Sequence, residues 1–330
     1  MIKFDENEIL ANFAKIYQKR QQIEAIADRI ASKNKVMFVS SGGSMSMLDP
    51  FANIVKKYSR IPCERMLAAE LVVCDSTFLD EDTIVFMTSK SGDTADTLAA
   101  ARLIQEKGSK IISVIGKANS ELEKLSHESV VYQDGRPQEL IFLLLILRYL
   151  HQKQCFADYV EFADQLSNLG NVLVQVRKDF DDDARRYAEK NANEPYNIFV
   201  ASGLLWPTAY SYSMCVLEES LWLPTKSVSS SEFFHGTLEL IEEGSCVTIL
   251  LSSGPTRLLD QRVADFCRKH TSNTNVFDAR IADLKGFSEA YRELLDPMIL
   301  AAMLQRVSRN LEDIKKHPLE TRRYYRTVNY

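Results

Sequence analysis

At 330 residues the chain is longer than one hydrophobic core comfortably serves, so it is expected to fold as two domains of ordinary size. Hydrophobic residues at 45%, charged residues at 26% and only 12 Gly and 9 Pro exclude a disordered or fibrous chain. A net charge of -5, with both signs interspersed, supplies no cationic field for a polyanion and excludes nucleic acid as a partner.

The opening MIKFDENEIL is acidic where a secretory leader would be basic and then apolar, and no apolar run reaches membrane-spanning length. Cys63, Cys74, Cys155, Cys215, Cys246 and Cys267 are scattered without a CxxC pair and read as reduced core thiols. A cytoplasmic protein without a membrane partner is expected. From Asn7 to Lys33 the residues Ile9, Leu10, Phe13, Ile16, Ile23, Ile26, Ala27 and Ile30 recur at helical spacing, which predicts one long amphipathic helix. Apolar runs at Val36 to Val39, Ile84 to Met87, Ile111 to Ile115 and Ser129 to Tyr132 then alternate with helical patterns, as a parallel sheet with helices on both faces requires. Glu139 to Leu150 is almost continuously apolar and predicts a buried helix, followed by polar amphipathic stretches to about Asn193. A second series repeats the outline: a strand at Ile198 to Ala201, a helix at Trp206 to Leu221, a strand at Val247 to Leu251, a helix at Arg257 to Lys269 and a strand at Val276 to Asp278. FVSSGG from Phe38 and FVASG from Phe199 open the two series, and an internal duplication is the simplest explanation. A charged helix from Ser308 ends in HPLETRRYYRTVNY, rich in Arg and Tyr.

Ser89-Lys90-Ser91-Gly92-Asp93-Thr94 lies between a strand and a helix, the edge where open α/β sheets hold ligands. Helix amides, a glycine turn and the hydroxyls of Ser89, Ser91 and Thr94 suit a phosphate monoester. Ser40-Ser41-Gly42-Gly43-Ser44 forms a second such turn and can bring Ser44 to the same crevice. Neither is a GxxxxGK[ST] or GxGxxG loop, and on local pattern alone Ser91 and Thr94 could equally serve only as helix caps. Ser252-Ser253-Gly254-Pro255-Thr256 in the second half keeps hydroxyls, but is not expected to bind phosphate because its spacing reads as altered and Pro255 lacks an amide donor.

Glu219, among Leu217, Leu221 and Trp222, has an apolar setting that would raise a carboxyl toward a general base, while Glu218 is turned about 100° away on the helix. A solvated carboxylate pair at a helix end is the plainer alternative. Ser229 and Glu232 predict a capping box, which makes Glu232 structural. His235, beside two Phe and a Gly, reads as a partly buried titratable imidazole, the alternative being a surface or core histidine without a role.

SKSGDTADT resembles the phosphate loop of sugar isomerase (SIS) domains, including the isomerase half of glucosamine-6-phosphate synthase, and FVSSGGS resembles their first turn. EESLWLPTKSVSSSEFFHGTLELI and HPLETRRYYRTVNY are similar to the fructosamine-6-phosphate deglycase branch of that family. The resemblance implies two tandem SIS-type, flavodoxin-like three-layer α/β/α units with parallel sheets. Their divisions are an N-terminal helix over 1–34, a phosphate-binding unit over 35–155, connecting helices over 156–193, a second unit over 194–310 and a tail over 311–330 that closes over the site. It implies phosphate binding by Ser44, Ser89, Ser91 and Thr94 with amides near Lys90, catalysis by Glu219 and His235, and pocket positions at Gly43, Ser202, Arg323 and Tyr330. Asn329 replaces the branch's usual penultimate Glu, which bears on substrate choice. The implied enzyme is a homodimer whose pocket combines the glutamate and histidine of different subunits. It hydrolyses a 6-phosphorylated Amadori amino acid such as fructoselysine 6-phosphate to hexose 6-phosphate and free amine, with no metal or organic cofactor. A catabolic aldose–ketose isomerase or aminosugar deaminase would use the same pair. A non-catalytic sugar-phosphate sensor is a further alternative, opposed by the absence of a DNA-binding helical domain before Val36.

Overall fold

The computed structural model describes residues 1–133, 137–325 and 327–328 and forms two compact units, one of Glu6–Gly170 and one of Met1–Asp5 with Asn171–Tyr330. The N-terminal unit begins with two helices, α1 (Glu6–Tyr17) and α2 (Arg20–Ile30), where one was expected. The periodicity runs on through Gln18 and Lys19, but Lys19 donates its amide to the Ile16 carbonyl, tightening the turn, and its ammonium binds the Val131 carbonyl at 2.8 Å. Ile23, Ile26, Ala27 and Ile30 of α2 are buried, whereas α1 buries only Ile16.

The chain continues through β1 (Lys35–Ser40), α3 (Gly42–Tyr58), β2 (Cys63–Leu67), α4 (Ala68–Cys74), β3 (Thr83–Ser89), α5 (Ala95–Glu106), β4 (Lys110–Ile115), α6 (Glu121–Leu125), β5 (Glu128–Val131), α7 (Gln138–Gln152) and α8 (Tyr159–Gln165). The five strands are parallel in the order β2-β1-β3-β4-β5. β1, β3 and β4 are covered on both faces, which is why they are almost wholly apolar. On one face Met37, Val39, Val85, Met87 and Ile111 pack with Ala100, Ala101 and Ile104 of α5 and with Leu71 of α4. On the other, Phe86 stacks on Phe38 at 5.4 Å and meets Phe142 of α7 edge-on at 6.4 Å, while Phe51 of α3 lies 5.3 Å from Phe142. Because α3 and α5 leave adjacent strands toward opposite faces, the chain parts at the ends of β1 and β3 and leaves a crevice there.

The C-terminal unit takes up the chain within α9 (Leu169–Asn191) and continues as β6 (Asn197–Ala201), α10 (Trp206–Ser211), a π-helical stretch Tyr212–Glu218, α11 (Glu219–Leu221), β7 (Thr225–Ser229), β8 (Cys246–Leu251), α12 (Arg257–His270), β9 (Thr274–Asp278) and α13 (Arg292–Lys315). Its parallel sheet runs β7-β6-β8-β9, repeating the β2-β1-β3-β4 order of the first sheet. The helix expected as one element from Trp206 to Leu221 is thus interrupted by a π turn. Lys3 reaches Glu312 at 2.7 Å and the Ile2 carbonyl accepts from Arg306 at 3.0 Å, which anchors the first five residues to α13. Among the described residues no helix is long and apolar enough to cross a membrane. The six cysteines are unpaired, and burial pushes the thiols of Cys63 and Cys246 up to about 12.

Candidate active site

The crevice of the N-terminal unit is made of two strand-to-helix turns. At the end of β1, Gly42 takes φ +54°, and a Cβ there would meet nothing within 4 Å, so space is open in front of this turn. Gly43 and the half-buried Ser44 lie in the first turn of α3, and Ser41 at its N-cap makes no side-chain cap. At the end of β3, Ser89 is buried and its hydroxyl accepts the Gly92 amide at 2.9 Å, which leaves the serine proton for an incoming oxygen. Gly92 needs its absent side chain twice over: φ is +68°, and a Cβ would overlap Ser120. Gly116 after β4 comes so close that its Cβ would lie 2.5 Å from the Lys90 carbonyl. The Ser91 hydroxyl donates to the Asp93 carboxylate, a bond that an anionic ligand must exchange. Thr94 occupies the N-cap of α5 without a side-chain cap, so it does not close the first-turn amides as a capping threonine would. Lys90 is exposed beside them. The arrangement offers serine hydroxyls and helix amides to an anion across two turns of one sheet edge.

In the C-terminal unit, Glu219 follows the π-helical stretch directly. The helix stops three residues later at Trp222, which adopts the left-handed conformation at φ 56°. The apolar surroundings expected for Glu219 are not what its carboxylate meets: Arg322 lies 2.7 Å away, and the glutamate side chain is 32% exposed. The apolar neighbours Leu217 and Leu221 turn into the core and leave the carboxylate at its rim. Arg323 lies over the Trp222 ring at 4.2 Å, and the same ring meets His317 edge-on at 4.5 Å. Glu218, on the other side of the helix, is exposed and accepts the Thr225 hydroxyl at 2.5 Å.

His235 ends a short 3-10 turn, Phe233–His235, and is exposed, where partial burial was expected. Phe233 takes the core position and Phe234 packs on Phe266 and under Arg262, leaving the next residue outward. The capping box does not form: Ser229 ends β7 with its hydroxyl on Ser231, and Glu232 stands at the N-cap without a side-chain bond. Ser202 is buried, and its hydroxyl donates to Asp260 at 2.5 Å within the C-terminal unit. Tyr330 and Asn329 lie outside the described residues. Arg322 was not singled out from sequence; the Arg pair in the tail was the signal, but nothing local says which of the two meets a carboxylate.

A doubly wound parallel unit with serine-rich turns at its topological switch point is a ligand-binding α/β domain of the phosphate-cradling kind. Residues 29–145, which contain the whole N-terminal sheet and both turns, match the SIS domain family. The match lies within the N-terminal unit, and the similarity to individual proteins extends over nearly the whole chain. The chain is 28% identical over 322 residues to fructosamine deglycase FrlB of Bacillus subtilis, covering 94% of this chain and 97% of that one. Fructoselysine 6-phosphate deglycase of Escherichia coli is 24% identical over 310 residues, covering 92% and 89%. A solved structure from Bacillus subtilis, described as a candidate phosphosugar isomerase, superposes with a TM-score of 0.89 at 27% identity, covering 94% and 97%.

Proposed function

We propose that the chain is a cytoplasmic deglycase acting on a 6-phosphorylated fructosamine, in which a sugar phosphate is joined to an amino acid. The crevice at the ends of β1 and β3 carries this reading, because it combines open space at Gly42 with hydroxyl and amide donors at Ser44, Ser89, Ser91, Thr94 and the Lys90 backbone. The names of the full-length relatives support the substrate class.

With the phosphate held, Glu219 removes a proton from C1 of the ketosamine and returns one to C2 through an enol-amine. His235 shuttles the hydroxyl proton during ring opening. Water adds to the resulting C1 imine and the amine departs, giving hexose 6-phosphate. The C2 carbonyl of the opened sugar takes up the electron pair released at C1, the substrate nitrogen then donates its lone pair as C2 is protonated, and this chemistry asks for neither metal nor organic cofactor. The exposure of His235 within its own chain supports a homodimer in which a second copy encloses the imidazole.

The test is a panel of 6-phosphorylated glycated amino acids assayed for hexose 6-phosphate release, with plain hexose phosphates as controls. Glu219→Gln and His235→Ala are each expected to lower turnover by roughly 10²–10⁴-fold. Release at the unaltered rate in both variants would sink the assignment.

A further inference from the structure

The phosphate loop has a counterpart in the C-terminal unit that strand register aligns without a gap. β1 pairs Phe38 with Phe86 and Val39 with Met87, and β6 pairs Phe199 with Thr248 and Val200 with Ile249. Carrying the shared FVxS phrase across both registers puts Ser253 at the place of Ser91, Gly254 at Gly92 and Thr256 at Thr94. α12 starts at Arg257 where α5 starts at Ala95. The S-G-x-T spacing is therefore retained, against the reading that it is altered.

What differs is the occupant. Asp296, from the second turn of α13, is completely buried and aims its carboxylate into this loop. One oxygen accepts the Ser253 amide at 2.7 Å and the Ser252 hydroxyl at 2.8 Å, and the other accepts the Ser253 hydroxyl at 2.7 Å. The donors are held from behind. Arg257 binds the Ser252 carbonyl at 3.1 Å, and because the peptide is planar and trans, the Ser253 amide points the opposite way, at Asp296. Arg280 binds the Ser253 carbonyl at 2.9 Å in the same manner, and the Gly254 amide turns to the Ser252 hydroxyl at 3.0 Å. The neighbouring Glu293 carboxyl lies against Gly254, where an added Cβ would come within 2.3 Å of it. Burial pushes the Asp296 carboxyl up to about 6, while the hydrogen bonds from Ser253 and Ser252 pull back toward the carboxylate. The neighbouring turn is filled as well: Gly203 has the same left-handed backbone as Gly42, but its Cβ position lies 2.8 Å from the Thr256 side chain instead of in open space, while Ser253 and Gly254 border a cavity beside Arg280 and Arg292.

We propose that Asp296 is a built-in ligand, its carboxylate filling a second, otherwise competent oxyanion cradle at Ser252 and Ser253. The C-terminal loop is then an anion site related to the N-terminal one, with Leu251 at the place of Ser89 and the Ser252 hydroxyl taking over the glycine amide, and it is kept from small oxyanions by a tethered carboxylate. Removing that carboxylate while keeping the loop opens the site. This inference stands on the C-terminal unit alone and does not depend on the deglycase reading.

The test compares thermal melting of full-length Asp296→Gly and the Asp296 chain in sodium formate against sodium chloride of equal ionic strength. Both carry Ser91→Ala, which weakens binding at the N-terminal crevice and makes whatever remains there common to the two chains. Formate is expected to raise the melting temperature of Asp296→Gly by several degrees and to leave the Asp296 chain unmoved, since a ligand stabilises only the state that binds it. Equal shifts in both chains, or none in the variant, overturn the proposal. If Asp296→Gly does not fold in chloride, refolding in formate should recover it, and failure in both salts counts against the assignment. Asp296→Asn fills the cradle with a neutral group of equal size and should gain nothing from formate; a gain there also overturns it.

Discussion

Arg322 and Glu219 pair at 2.7 Å with 25% and 32% of their side chains exposed, an exposure at which an ion pair contributes little to folding, about 0.2–1 kcal/mol. On the proposed reading, the pair serves to hold the Glu219 carboxylate in place. Arg322→Ala is expected to lower kcat roughly tenfold, the equivalent of about 1.4 kcal/mol, while the melting temperature moves by no more than a degree or two. Arg322→Lys, which keeps the charge, should recover part of that loss. A fall in melting temperature with kcat unchanged would make Arg322 a structural residue only. Such a partnership is hidden from sequence because 103 positions separate the two residues, and helical spacing reports only neighbours on one element. Glu219 itself was legible as a carboxylate at a helix end among apolar residues, but the pattern that placed Leu217 and Leu221 in the core could not say that the glutamate side chain stays at the rim.

Among the elements, the loop after β3 depends on Gly92 more than the loop after β1 depends on Gly42. Both take left-handed φ values, +68° and +54°, which cost an alanine about 1–2 kcal/mol. Only at Gly92 does the added methyl also collide with a neighbour, the Ser120 side chain, whereas at Gly42 it enters open space. Urea denaturation should accordingly show a larger loss of stability for Gly92→Ala than for Gly42→Ala, and equal losses would mean that the loop accommodates the collision by moving. The central strands β1, β3, β4, β6 and β8 were legible because burial on both faces writes a continuous apolar run. β2 and β7, with sequences CERML and TKSVS, were not, since each is an edge strand with polar residues among the apolar ones. The break between α1 and α2 was invisible for a different reason: the hydrophobic spacing continues across Lys19, whose amide turns back to Ile16 while its ammonium reaches a strand far along the chain.

At the level of the molecule, the proposed homodimer predicts complementation. If each pocket takes Glu219 from one chain and His235 from the other, mixing Glu219→Gln with His235→Ala chains creates dimers with one intact and one doubly defective pocket. Half of the dimers are mixed at equilibrium, so roughly a quarter of full activity should return on co-refolding. No recovery, with dimers formed, would place both residues of a pocket in one chain. The duplication that underlies this architecture was readable in the shared FVxS phrase, and the repeated strand order agrees with it. That the second loop retained its spacing was not readable, because only strand pairing fixes which serine corresponds to which.

The wide turn over Tyr212–Glu218 carries one residue more per hydrogen-bonded ring than an ordinary helix, so everything after it is rotated by about 100° relative to the helix before it. Loss of a single codon in that stretch would regularise the coil and swing Glu219 and Trp222 away from Arg322 and Arg323 together, leaving the N-terminal crevice and both sheets untouched. On the proposed reading, one small deletion would separate a chain that processes a sugar phosphate from one that only holds it, a short evolutionary path between a catalyst and a receptor built on the same scaffold.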